Sequence, residues 1–206
     1  MVTKATQRKI GAVLAGGLVL GIGTAATLAA WNDSEFANGT FTAGAFNLEG
    51  STDGTTYADH STAGTAATLA FTLPAGLVSN MSPSSTVYAG FWVRLAAGTT
   101  SAANLTASGA TADPAATSNS DHLSYAIYQL APGATCNAAS ATGTPVASGA
   151  TLDALTGATA IPLTAGATAT DPGTAVQLCF RVTADAALEP SLVTDATWSF
   201  TATSTN

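Results

Sequence analysis

Lysine is nearly missing from this chain: it occurs at Lys4 and Lys9 and nowhere after them. A segment without lysine offers no amine for Schiff-base chemistry, and none for the side-chain amide cross-links that some surface fibres use. It also lacks the residue that commonly guards exposed sheet edges against pairing with other chains. Positive charge is scarce in general. Of the five basic residues only Arg94 and Arg181 lie beyond residue 30, against all twelve acidic ones. That imbalance repels nucleic acid and anionic lipid, because phosphate binding needs clustered Lys and Arg. Nucleic acid is thereby excluded as a partner.

Catalytic constellations are missing too. The two histidines, His60 and His122, each follow an aspartate (Asp59, Asp121), and no His-Glu-x-x-His occurs. Zinc catalysis generally takes three protein ligands, so these histidines read as surface residues. There is no Gly-x-Ser-x-Gly elbow and no cysteine placed with a histidine for attack. Asp33 with Glu35, and Asp53 with Asp59, sit in Gly/Thr-rich surroundings and read as solvated carboxylates. The EF-hand pattern for calcium is absent. The expectation is a protein that is not an enzyme and needs no metal or other cofactor.

Only two cysteines are present, Cys136 and Cys179, with no CxxC. A bridge between them would close a loop of about 44 residues, worth roughly 4 kcal/mol in the chain-entropy treatment. A structural disulfide and an oxidising compartment follow.

The N-terminus carries a clear signature. Lys4, Arg8 and Lys9 form a basic start, Ile10 to Thr27 is uncharged and mostly apolar, and Leu28-Ala29-Ala30 supplies small residues before Trp31-Asn32-Asp33. Basic, apolar, small, then polar is the order of a secretory signal peptide. Residues 1–30 are read as that leader, cut between Ala30 and Trp31. Small residues also permit a cut after Ala26 or Ala29. The apolar run is long enough to cross a bilayer and contains Gly17-x-x-x-Gly21, but its glycine content makes it a poor permanent anchor.

Beyond the leader, residues 31–206 are long enough for one domain with a real core. Apolar residues alternate with polar ones over Val87–Leu95, Val176–Val182 and Ala196–Ala202. A period of two marks half-buried strands. Thr40–Leu48, Ala67–Leu73 and Leu123–Leu130 read as further strands. Turn signals separate them at Asp53-Gly54, Pro74-Ala75-Gly76, Pro132-Gly133 and Pro172-Gly173. Alternation places Cys179 on the outward face of its strand, so a disulfide would pin the loop after residue 131 onto that face. The small-residue stretches near 97–120 and 138–172 are either long loops or small-residue strands, and Ala154–Ala160 has room for a turn. Seven to nine such strands predict an all-β fold, an antiparallel β-sandwich of Greek-key or jelly-roll type preceded by the helical leader.

Leu28-Ala29-Ala30-Trp31-Asn32-Asp33, then Gly39-Thr40-Phe41-Thr42-Ala43-Gly44 and Phe46-Asn47-Leu48, resemble the camelysin/TasA family of cell-surface and biofilm-matrix proteins. Met81-Ser82-Pro83 before Val87–Leu95 looks like that family's turn and long central strand, and Thr197–Ala202 like its closing strand. The paired cysteines and Ala/Thr-rich loops depart from the founding members and look like a cysteine-containing, actinobacterial-like branch. The resemblance implies a SipW-type signal peptidase as the partner in export, membrane contact only through the leader, and a secreted or cell-surface jelly-roll subunit of matrix fibres. It further implies head-to-tail assembly, with itself or related fibre proteins, in which a freed N-terminal segment becomes a strand of the next subunit. Trp31 to Phe41 would hold that donor, with Trp31, Phe36 and Phe41 as apolar anchors and residues 31–39 as its freed strand. They could equally be a tether or the first strand of their own domain. The alternative expectation is a monomeric secreted binding module that recognises protein or glycan through loops near Trp92 and over 131–172.

Overall fold

The computed structural model of the chain describes residues 3–26, 45–73 and 81–205. The chain divides into two compact units, Met1–Thr42 and Ala43–Asn206. In the first, helix α1 covers Lys4–Ala26, with Val13, Leu14 and Leu18 largely exposed. Among the described residues, no helix is long and apolar enough to cross a membrane. Ala30, Trp31, Phe36 and Phe41 lie outside the described residues, so the expected cleavage junction and donor anchors rest on the sequence alone.

The second unit is all-β. Its strands are β1 (Leu48–Ser51), β2 (Thr86–Leu95), β3 (Ala102–Ala112), β4 (Leu123–Gln129), β5 (Ala147–Gly149), β6 (Ile161–Leu163), β7 (Val176–Ala184) and β8 (Ala196–Thr205). They form two antiparallel sheets, one ordered β1-β2-β7-β4-β5 and the other β6-β3-β8. A single isolated parallel bridge joins Ala45 to Thr99.

The alternating sequences do what alternation requires. In β2, Val87, Ala89, Val93 and Leu95 are buried, while Tyr88, Trp92 and Arg94 on the other face are half-exposed. Their β7 counterparts Leu178, Phe180 and Val182 are buried beside them, with Ala89 opposite Phe180 and Phe91 opposite Leu178. The small sheet contributes Leu105, Ala107, Ile161 and Leu163 to the same core. Each such Leu, Ile or Phe removed from water is worth about 1.5–3 kcal/mol, so these few large side chains carry an otherwise Ala/Thr-rich domain.

Two expectations are corrected, and one with two readings is decided. Thr40–Leu48 is not one strand in its described part: β1 begins only at Leu48, and Ala45 contributes one bridge. Ala67–Leu73 keeps its alternation, with Ala67, Leu69, Phe71 and Leu73 half-buried, but forms only one bridge, Thr72 to Tyr88. β1 pairs with the same strand further along, over Trp92–Leu95. The small-residue stretch near 97–120, left open between loop and strand, contains β3, an 11-residue strand. Alanine and threonine suit a strand here because β8 covers its whole length.

The outward face of β7 is covered over part of its length, Arg181 and Thr183 staying half-exposed. Gln177 and Cys179 are buried, Cys179 beneath the loop after β4. A second small core of Ala126, Tyr128, Leu130, Ala141 and Cys179 forms there. The disulfide joins Cys136 to Cys179 with Cα atoms 5.3 Å apart, pinning the loop where alternation placed it.

Candidate strand-accepting groove

A sheet must end somewhere, and an exposed end invites pairing with another chain unless it is short, charged, interrupted by proline or covered. Three of the four outer strands here meet that requirement. β1 has four residues and is bridged by Ala58 through Gly50; β5 has three and is bridged by Thr156 through Ser148. β6 has three residues, and the central one is Pro162, which has no N–H to offer.

β8 differs on every count. It is ten residues long, contains no charge and no proline, and pairs on one side only, with β3, among the described residues. Its inward row, Ala196, Trp198, Phe200 and Ala202, is only half-buried. The reason is an open groove of about 830 Å³ beside it. Residues Thr194–Ala202 form one wall of this groove, and Leu69, Phe71, Leu73, Met81 and Phe91 the other; Phe180 and Val182 lie among its lining residues.

Aromatic contacts hold the β8 wall in place. Trp198 meets Phe180 at 5.1 Å and Tyr125 at 5.3 Å between ring centroids. Phe200 meets Phe180 edge-on at 6.2 Å, and Phe71 approaches Trp198 at 6.5 Å. Pairs in this range add about 0.5–1.5 kcal/mol beyond burial. Tyr125 Oη donates to the carbonyl of Ala154 at 2.7 Å. Burial pushes its phenol pKa up, against a smaller opposing effect from the nearby Trp198 indole N–H. That N–H does not complete a hydrogen bond: Trp198 Nε1 is buried with no acceptor among the described residues.

The loop leading into β8 is fixed by polar contacts. Buried Asn119 donates its side-chain amide to the Glu189 carbonyl at 2.9 Å and accepts from the Glu189 N–H at 2.8 Å. Its own N–H donates to Thr194 Oγ1 at 2.8 Å. Further back, His122 Nδ1 lies 3.0 Å from Asp185 Oδ2. This contact raises the imidazole pKa and lowers that of the carboxyl. Beyond these staples Leu192 and Val193 stay exposed beside the start of β8, and Phe46 is exposed on the groove lining.

Among the described lining residues the ionised side chains are all acidic. Glu49, Asp59 and Asp195 line it with His60, and no Lys or Arg does. Arg94 pairs with Glu49, Nε to Oε2 at 3.1 Å, and lies 3.7 Å over the Tyr57 ring.

The remaining sequence candidates are scattered. His60 Nδ1 is 2.7 Å from the Thr65 carbonyl oxygen and His122 is engaged with Asp185, so the two Asp-His pairs serve separate contacts. Asp53 Oδ1 accepts from the N–H groups of Thr56 and Thr55 and from Ser51 Oγ. These bonds, that of Thr56 first, hold its carboxyl far below the ordinary range. It is a turn-forming carboxylate. Among the described residues no group of three His, Cys, Asp or Glu side chains is assembled that could hold a metal. Trp92 sits on β2, packed beside Gly54 and Gly90: a Cβ on either glycine would come within about 3.1 Å of its ring.

No protein-family model matches the chain, and no curated protein matches it in sequence. Sequence reasoning missed the groove. The signal that could have revealed it is the uncharged, proline-free run Ala196–Thr205, together with a second apolar alternation over Leu69–Leu73.

Proposed function

We propose that this chain is an exported structural subunit of extracellular surface or matrix fibres, a jelly-roll-type β-sandwich assembled by strand addition at the free edge of β8. The observation that carries the reading is the contrast among sheet edges: three are short or blocked, and the fourth is long, uncharged and bordered by an apolar groove. Strand addition uses such an edge directly. Backbone N–H and C=O groups pair along it, and alternate side chains enter the groove. The N-terminal resemblance to camelysin/TasA proteins supports the same reading, supplying a donor (residues 31–39 of a neighbour) and an exit route through signal cleavage before Trp31. A donor taken from the neighbour makes a head-to-tail contact, which gives open filaments. The disulfide supports an oxidising location outside the cytoplasm.

Deleting residues 31–39 from the full chain, leaving the leader in place, tests this. Electron microscopy of the secreted fraction should show filaments for the wild type and folded single particles for the deletion. Filaments of unchanged yield from the deletion would refute donor-strand assembly. A wild type that stays a single particle at every concentration would return the monomeric binding module.

A further inference from the structure

We infer that Phe36 alone seats the incoming strand in the groove, and that Trp31 and Phe41 stay outside it. The inference rests on the strand-addition reading above and adds a register to it. In an extended strand successive side chains point to opposite faces. Trp31, Asp33, Glu35 and Phe41 therefore share one face, and Ser34, Phe36 and Asn38 share the other. The three aromatics cannot enter together.

The groove decides between the faces. Its walls are apolar, built from Leu69, Phe71, Phe91, Trp198 and Phe200, and its charged lining residues are Glu49, Asp59 and Asp195, with no Lys or Arg to pair an entering carboxylate. Seating the Trp31 face would carry Asp33 and Glu35 out of water into apolar, acidic surroundings, and unpaired charges are the costliest groups to bury. Seating the other face buries one phenyl ring with short neutral side chains before and after it, and leaves both carboxylates in solvent. The residues before Ala45 are long enough to reach: an extended segment of about 14 residues spans roughly 45 Å, more than the ten residues of β8 need.

The test compares Phe36→Ala, Trp31→Ala, Phe41→Ala and Asp33→Asn/Glu35→Gln in the full secreted chain, with mass spectrometry confirming the mature N-terminus of each. The measured quantity is the protein concentration at which filaments first form. Phe36→Ala should raise it at least about tenfold, the scale of losing one buried phenyl contact. The other variants should change it by less than about threefold. An unchanged melting temperature of the Phe36→Ala monomer separates lost assembly from lost folding. If Trp31→Ala or Phe41→Ala raises the threshold while Phe36→Ala does not, or if neutralising Asp33 and Glu35 strongly lowers it, the register is overturned and strand addition stands. If the 31–39 deletion still forms filaments, the underlying reading fails.

Discussion

Cys179 and Phe180 are consecutive residues of β7 that face opposite ways, and both are fully buried. Phe180 enters the core between the two sheets. Cys179 enters a separate small core beneath the loop after β4, where its sulfur is joined to Cys136. One strand thus supports two cores, and the second depends on a covalent link spanning 43 residues.

Replacing both cysteines, Cys136→Ala with Cys179→Ala, should therefore lower unfolding stability by about 4 kcal/mol if loop-closure entropy dominates. Urea denaturation of the two proteins measures this. The double variant should keep its far-ultraviolet β signal, because the main core lies on the other face of β7.

Phe180 should be the costlier single truncation in the main core. It contacts Trp198 and Phe200 and is almost wholly buried. Phe180→Ala should destabilise by about 3–5 kcal/mol. It should also lower any assembly at β8, since it supports both aromatic residues of the groove wall.

Trp92 and Gly54 give a backbone test. Gly54 has φ of +74°, and a Cβ there would stand 3.1 Å from the Trp92 ring. Gly54→Val adds left-handed strain to a steric clash, and should cost at least about 1–3 kcal/mol in thermal melts. Gly64→Val, where a Cβ meets nothing within 4 Å, is the control and should change little.

The His122–Asp185 pair sets a pH window. The folded imidazole pKa is raised above its ordinary 6.5, first by the hydrogen bond to Asp185. Its contribution is complete below about 6.5 and is lost as pH rises through the raised value. The Asp185 pKa is lowered below its ordinary 3.8, first by the same bond. That contribution is present above about 3.8 and is lost as pH falls through the lowered value. Both operate between these limits. NMR titration of Asp185→Asn should move the His122 pKa down towards its ordinary value, whereas an unmoved pKa would mean the contact is not formed in solution.

Charge placed on the β8 edge tests the proposed assembly surface independently of the proposed donor. Thr201 and Thr203 are exposed and face away from the core. Thr201→Lys with Thr203→Lys supplies the missing edge protection. Monomer stability should stay within about 0.5 kcal/mol, as for most surface changes, while filament yield in electron micrographs should fall sharply.

Alternation in the sequence determined four of the long strands but not β3, the 11-residue one. Val87–Leu95, Leu123–Leu130, Val176–Val182 and Ala196–Ala202 each lie on the strands now seen, because a period of two can bury one face only in extended backbone. Cysteine content similarly anticipated the disulfide. What local pattern could not determine was which edges meet which partners. Ala67–Leu73 alternates correctly yet, among the described residues, meets β2 through one bridge only, Thr72 to Tyr88. The outward Cys179 is buried because a distant loop closes over it. The groove is likewise a property of two sheets together: Trp198 and Phe200 read as ordinary inward residues, and only the separation between β8 and the facing segment leaves them half-covered. Periodicity is written in neighbouring residues; edge pairing and cavities arise between residues far apart in the chain, so the tertiary structure alone decided them.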